Sequence, residues 1–182
     1  MSDDADHSPL VRPIRIDEIV DGANKEIATT AAERAAIKDL LDLQALKSLT
    51  FAYRLSRGAG GRLALSGRLK AELTQTCVIT LEPVESALDV PVDVEFWPAS
   101  LIARLDSAGE EPADHGRLDW PEPIEDGRIV LGPLIYETLA TALDPYPRRE
   151  GASFQWSQGS ALEQAEAGQS GPFAALAKLK RP

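Results

Sequence analysis

Residues 48–55 read Ser48-Leu49-Thr50-Phe51-Ala52-Tyr53-Arg54-Leu55, and apolar and polar side chains alternate along the whole stretch. Successive side chains of a β-strand point to opposite faces, so this pattern predicts a strand with one buried and one exposed face. The alternation resumes after Gly58-Ala59-Gly60-Gly61, from Leu63 to Leu73, and again from Leu88 to Phe96. The three runs predict an antiparallel sheet between Leu46 and Phe96 with one face in water.

Two residues interrupt the alternation and predict local features of the sheet. Gly67 breaks the second run, which indicates a β-bulge or a close approach of another part of the backbone. Pro91 lies on the polar side of the third run and has no N–H to donate. We therefore expect Pro91 at an edge of the sheet or at a gap in its pairing.

Two helices are expected to cover the sheet. Thr30-Ala31-Ala32-Glu33 has the spacing of a capping box, so we predict a helix from Ala31 to Leu43. Gly132-Pro133 suits the N-cap and first turn of a second helix, which Pro145 ends. The predicted fold class is α+β, a twisted antiparallel sheet or partly open barrel with two covering helices.

The chain is expected to form one globular unit with flexible ends. We assign residues 1–9 to a flexible N-terminus, residues 10–150 to the folded domain and residues 151–182 to a flexible C-terminal tail. Residues 98–127 are rich in Glu, Asp, Pro and Gly and show no periodicity, so we expect an acidic loop there.

Composition restricts the class of protein. The 182 residues are 43% hydrophobic, which is enough for a sizeable core, and no apolar run approaches the length of a membrane helix. The acidic start, Met1-Ser2-Asp3-Asp4, is unlike a signal peptide, so we expect a cytoplasmic protein without a membrane partner. A single cysteine, Cys77, cannot form an internal disulfide or supply a zinc site by itself.

The net charge of −10 conceals a basic stretch. Residues 43–71 contain no Asp or Glu but contain the six residues that we name as RNA-contact candidates: Lys47, Arg54, Arg57, Arg62, Arg68 and Lys70. Folding would place Arg54, Arg62, Arg68 and Lys70 on the sheet face opposite the leucines, where they could follow a phosphate backbone. The alternative is a solvated face whose cations pair with Asp89, Asp93 and Glu95 of the neighbouring strand.

Residues 81–126 contain 13 acidic and only two basic side chains. They could act as a polyanion mimic that covers a basic surface, but a solubilising loop is the interpretation we favour.

Two separated blocks carry a resemblance to a known family. The first is Cys77-Val78-Ile79-Thr80-Leu81-Glu82-Pro83-Val84-Glu85; the second runs from Gly127-Arg128-Ile129-Val130-Leu131-Gly132-Pro133 to Asp144-Pro145-Tyr146-Pro147. In this order they resemble the YceD family of bacterial proteins, named for the accumulation of large-subunit (23S) ribosomal RNA. The resemblance covers residues 10–150, with a further piece at residues 171–180.

The resemblance implies a role in ribosomal RNA processing or large-subunit assembly, with large-subunit ribosomal RNA or its precursor as a partner. It implies no catalytic residue and no small-molecule substrate. Many members carry a second cysteine three residues after the first, and this chain has Thr80 there, so a metal or redox role for a cysteine pair does not carry over.

The residues themselves give no sign of an enzyme. Cys77 would need a base beside it, and both histidines, His7 and His115, lie in segments that we expect to be mobile. Gly58-Ala59-Gly60-Gly61 lacks the Lys and Ser/Thr of a P-loop. We therefore expect a non-catalytic protein without cofactor or metal.

The C-terminal segment is apolar and basic, and we name four of its residues as partner-docking candidates: Phe173, Leu176, Lys178 and Lys180. Two functions follow from these observations. The first is a ribosome-biogenesis factor that contacts RNA through the basic face. The alternative is an adaptor that binds a basic ribosomal protein or a processing nuclease without touching RNA.

Overall fold

The computed structural model describes residues 9–108 and 120–153. Within them the chain forms seven strands and three α-helices: β1 (Pro13–Arg15), β2 (Asn24–Ala28), α1 (Ala31–Leu40), β3 (Ala45–Arg57), β4 (Leu63–Thr76), β5 (Pro83–Pro98), α2 (Ala99–Ala108), β6 (Glu122–Ile124), β7 (Arg128–Val130) and α3 (Leu131–Ala142). All belong to one compact unit that ends at Glu150. None of the helices in this part of the chain is long and apolar enough to span a bilayer.

Five strands form the main sheet in the order β2-β3-β4-β5-β6. The first three pairings are antiparallel, and β6 adds a short parallel contact with β5. β1 and β7 form a separate antiparallel ribbon. The α+β class is confirmed, and within the described residues the sheet is open rather than closed into a barrel.

The alternation places the core on one face of this sheet, as predicted. The residues on the predicted apolar face of the first two runs are all buried: Leu49, Phe51, Tyr53, Leu55, Leu63, Leu65, Leu69, Ala71 and Leu73. The third run is buried less evenly, because Val92 and Phe96 are shielded whereas Leu88, Val90 and Val94 are only half-buried. The leucines of β3 and β4 therefore form the centre of the core, and β5 lies towards its margin.

Gly67 and Pro91 behave as their residue types require. A Cβ atom on Gly67 would lie 2.7 Å from the carbonyl oxygen of Ala52 and 3.0 Å from the Phe51 ring, so the glycine marks a close approach. The register shift between β3 and β4 lies elsewhere, between Leu46 and Ser48. Pro91 pairs with β4 on one side, and β6 reaches only Phe96–Pro98, so among the described strands Pro91 stands at an edge.

Helix α1 begins as predicted and ends early. The Thr30 hydroxyl accepts from the Glu33 amide, and the Glu33 carboxylate accepts from the Thr30 amide, which completes the capping box. The helix stops at Leu40 instead of Leu43, because Asp42 takes the left-handed conformation with φ of 51°. Ile37 is fully buried, whereas Ala36 and Leu40 of the same helix are exposed.

The prediction of a patternless loop over residues 98–127 is wrong at both ends. Helix α2 follows β5 directly, and β6 pairs in parallel with the end of β5. Residues 109–119 lie outside the described part of the chain, as do residues 1–8 and 154–182 of the predicted flexible ends. Helix α3 also begins one residue before the predicted N-cap, at Leu131.

The first described residues cross over the start of α3. Leu10 is completely buried, and the amides of Leu131 and Gly132 donate to the carbonyls of Arg12 and Val11 at 3.2 and 2.9 Å. These bonds satisfy donors that a helix N-terminus leaves free. A Cβ atom on Gly132 would lie 1.7 Å from the Leu10 carbonyl oxygen, so only glycine permits this crossing.

Replacing Gly132 with alanine should therefore destabilise the fold by about 3 kcal/mol or more, since backbone atoms must move to admit the methyl group. Gly58→Ala is the matched control. Its added Cβ atom would meet nothing closer than 3.6 Å, so its free energy of unfolding should stay within about 1 kcal/mol of the original chain. Urea denaturation of both variants measures the difference, and equal midpoints would contradict the crossing.

Candidate RNA-contacting face and the Cys77 turn

The exposed face of the main sheet carries three of the six basic candidates. Arg54 of β3 lies opposite Ser66 of β4, and Arg68 lies opposite Ala52. Arg54 and Arg68 are therefore diagonal neighbours, roughly 7–8 Å apart. Lys70 follows two residues along β4 on the same face, opposite Thr50. The structure thus brings Arg54, Arg68 and Lys70 together, as the alternation predicted.

The same face carries carboxylates that partly neutralise these cations. Arg68 Nε donates to Asp89 Oδ1 at 2.7 Å, and this bond, with the charges of Arg68 and Lys70, lowers the pKa of Asp89 against the opposing effect of desolvation. Arg54 Nε donates to the neutral Asn24 Oδ1 at 3.1 Å. The register also places further acidic residues on this face: Glu26, Glu72 and Asp93.

Lys47 lies in the register shift of β3, at one end of the face. Its Nζ atom lies 2.6 Å from Glu85 Oε1, and the hydrogen bond and charge of Glu85 raise the pKa of Lys47. Both side chains are at least half exposed, so such a pair contributes little to stability, typically 0–1 kcal/mol. It nevertheless gives the Lys47 charge a partner.

Arg57 and Arg62 are held by other parts of the fold. A terminal guanidinium nitrogen of Arg57 donates to the carbonyl oxygens of Ile16 and Ile19 at 2.8 and 3.2 Å. The Arg62 guanidinium carbon lies 3.7 Å from the centroid of the Trp97 ring, a cation–π contact. Arg62 precedes Arg68 by six residues, about 20 Å along an extended strand. The six candidates therefore do not form one continuous patch.

The charge balance of the face decides what it can bind. Three cations share it with five carboxylates, because Glu95 also lies on this face, opposite Ala64. Residues 9–108 and 120–153 together contain 15 Lys or Arg and 20 Asp or Glu. Affinity for a polyanion requires cations that displace counterions from phosphates. The face is mixed in charge, which agrees with the alternative that the sequence left open.

A second feature is the turn between β4 and β5. Cys77 lies at its start, fully shielded from solvent. The backbone amides of Thr80 and Arg149 each lie 3.4 Å from Cys77 Sγ. Hydrogen bonds from the Thr80 hydroxyl and from these amides lower the pKa of the Cys77 thiol to about 6, against the opposing effect of burial. The thiol is thus a buried acceptor for donors from two segments.

The segment after α3 closes over this turn. The Val78 amide donates to the Pro147 carbonyl at 2.9 Å, and Gln75 Nε2 donates to the Asp144 carbonyl at 2.9 Å. The Arg149 guanidinium forms an ion pair with Glu82. The two sequence blocks that carry the family resemblance are therefore in direct contact. Arg149, which follows Cys77 by 72 residues, was not predicted here, because no local pattern indicates a contact at that separation.

The chemistry available at this turn is limited. Cys77 is buried, and the described residues contain no group of three or more His, Cys, Asp or Glu side chains placed to hold a metal ion. His7 and His115, the bases that we considered for Cys77, lie outside the described residues, as do the docking candidates Phe173, Leu176, Lys178 and Lys180. In the described part of the chain, the turn holds β4, β5 and the segment after α3 together.

The lowered thiol pKa predicts a pH dependence of stability. A group whose pKa is lower in the folded state than in the unfolded state stabilises the fold above its unfolded pKa, and this contribution is lost as the pH falls through the folded value. The free energy of unfolding of the original chain, relative to a Cys77→Ser variant that cannot ionise, should therefore fall between pH 9 and pH 6. Urea titrations of both proteins at several pH values test this, and a constant difference would argue against a stabilised thiolate.

A family model described as Large ribosomal RNA subunit accumulation protein YceD matches residues 65–180 of this sequence. The match begins within β4 and includes the Cys77 turn, α3 and the segment that closes over the turn. No curated protein and no solved structure gives a significant match. The family model spans more than half of the chain and agrees with the resemblance found in the sequence, so the chain belongs to the YceD family, whose name connects it with the accumulation of large-subunit ribosomal RNA.

Proposed function

We propose that this chain is a non-catalytic cytoplasmic factor in the accumulation of large-subunit (23S) ribosomal RNA, and that it acts as an adaptor by binding a protein partner. The observation that carries the adaptor role is the charge balance of the exposed sheet face. Arg68 is paired with Asp89 and Lys47 with Glu85, and carboxylates outnumber cations on the face. Such a surface favours a partner with both charge signs over a bare phosphate backbone.

Burial of the chain's single nucleophilic thiol supports a non-catalytic role. Cys77 Sγ accepts hydrogen bonds from two backbone amides and is covered by the segment after α3. A substrate could therefore not reach it unless this part of the fold opened. The description of the family as an accumulation protein agrees with this interpretation.

The proposed partner is a basic ribosomal protein or a ribosomal RNA processing nuclease. Phe173, Leu176, Lys178 and Lys180 remain candidate docking residues for the same partner, because an apolar and basic segment suits a protein groove. Their contribution is a proposal from sequence alone.

Affinity capture from cells separates the protein-mediated role from direct RNA contact. We expect a tagged full-length chain to retain the same basic ribosomal protein or nuclease after ribonuclease treatment, at a level close to that of the untreated sample. Quantitative mass spectrometry of both samples measures the retained fraction. Release of all specifically captured proteins by ribonuclease would refute the adaptor role.

A second candidate function, direct RNA contact, is favoured by one specific observation. Arg54, Arg68 and Lys70 project from adjacent strands among small neighbours, which leaves them accessible to a flat ligand; Ala52, Ala64 and Ser66 are exposed and Thr50 is partly buried. Lys47, Arg57 and Arg62 lie away from this cluster, where they contact Glu85, backbone carbonyls and the Trp97 ring. We therefore restrict the RNA-contact proposal to the first three cations.

Triple charge reversal tests this second candidate. If these cations contact phosphates, Arg54→Glu, Arg68→Glu and Lys70→Glu together should weaken binding to a large-subunit RNA fragment at least about tenfold and reduce the salt slope by up to about two to three. The control reverses Arg15, Lys38 and Arg148, which changes the net charge equally at sites outside this sheet face. Fluorescence anisotropy over a salt series measures both, and equal losses in the two triple variants would exclude a specific face.

A further inference from the structure

A groove of about 400 Å³ lies between the β6–β7 hairpin and the beginning of α3. Five of its lining residues are apolar, and we call this part of the lining the floor: Phe96, Pro123, Val130, Pro133 and Leu134. Val130 is 42% exposed although the residues on both sides of it, Ile129 and Leu131, are fully buried. We call this feature the α3 groove. It leaves a contiguous apolar surface open next to the core.

The rim of the α3 groove is acidic. Four carboxyl groups line it, from Glu122, Glu125, Asp126 and Glu137, against one guanidinium group from Arg128. Partial burial and the charge of Glu137 raise the pKa of Glu122, so the carboxylates of Glu122 and Glu137 repel each other. A cation placed between them would relieve this repulsion and would be partly shielded from solvent.

The backbone fixes this rim in place. Glu125 and Arg128 exchange backbone hydrogen bonds of 3.2 and 2.8 Å across the tight turn between β6 and β7. Asp126 and Gly127, the central residues of that turn, have φ of 48° and 69°, which is typical of a type I′ hairpin turn. The turn that carries Glu125 and Asp126 is therefore closed by backbone hydrogen bonds, which reduces the ordering needed on binding.

We propose that the α3 groove binds a short basic segment of a partner protein, in which one or two large apolar side chains fill the floor and flanking Lys or Arg side chains meet the rim. The inference rests on the proposed adaptor function and deepens it by locating the docking surface. Charge complementarity selects this occupant over RNA, because an RNA strand would bring phosphates to four carboxylates.

The first test is a binding measurement with a probe of the proposed chemistry. A labelled 12-residue peptide with two leucines and one phenylalanine among six lysines should bind the full chain, and a peptide with serine in place of the apolar residues should bind at least about tenfold more weakly. The double reversal Glu125→Lys, Glu137→Lys should reduce affinity for the apolar peptide at least about tenfold. The matched control Glu18→Lys, Glu150→Lys makes the same change in net charge at exposed sites outside the groove and should stay within about twofold.

Several results would refute the proposed binding of a basic segment in the α3 groove. Equal affinity for the serine peptide, or equal loss in the control variant, would show a non-specific charge effect. Sedimentation that reveals a dimer dissociated by the groove reversal would assign the surface to a second copy of the chain. Thermal unfolding of each variant identifies any that is misfolded. Val130→Ser is an independent variant, because it changes an exposed side chain without altering charge. Its affinity for the apolar peptide should fall at least about fivefold.

The groove and the adaptor function can fail separately. If the groove reversal leaves ribonuclease-resistant capture of the cellular partner unchanged, the groove assignment is wrong and the adaptor function stands. If ribonuclease removes the partner from the original chain, the adaptor function fails whatever the peptide measurements show. Loss of both peptide binding and ribonuclease-resistant capture in the groove reversal, with both retained in the control, is the result that we expect.

Discussion

The pairing of β3 with β4 is the constraint on which the rest of the structure depends. The pairing of residues 48–57 of β3 with β4 places the leucine and aromatic side chains on one face of the sheet. The charged groups of Arg54, Arg68 and Lys70 lie on the other face. Because side chains alternate with a period of two, a slip of one residue would bury the charges and expose the core. Gly67 adds a second restriction on this register, because the Ala52 carbonyl and the Phe51 ring leave no room for a side chain at that position.

The sequence was most informative where a short period repeats. Alternation identified β3, β4 and β5, and the capping box located the start of α1, because both signals depend on neighbours a few residues apart. Strand β2 and helix α2 carry no comparable pattern, and β6 owes its assignment to a parallel contact with the end of β5. These elements depend on contacts with the sheet, which the local composition does not reveal.

The sequence pattern indicated the orientation of the basic side chains but left their electrostatic partners open. The pattern showed which side of the sheet Arg68 faces, but the ion pair with Asp89 depends on how β5 is aligned with β4. Arg62 illustrates the same limit, since its contact is the Trp97 ring and not solvent. Likewise, the contact of Arg149 with the Cys77 turn joins residues 72 positions apart, and no pattern in either local sequence indicates this contact.

The ribbon of β1 and β7 has a consequence for how the molecule is made. Pro13 pairs with Val130, so β1 cannot form this ribbon until β7, 117 residues later, has been synthesised. At translation rates of roughly 5–20 residues per second, that interval is about 6–23 s. During it Leu10 and Ile14 have no burial site on α3 or β7, and the nascent chain carries exposed apolar side chains near its beginning. Closure of this ribbon therefore follows the synthesis of β7, and it couples the burial of Leu10 and Ile14 to the emergence of α3.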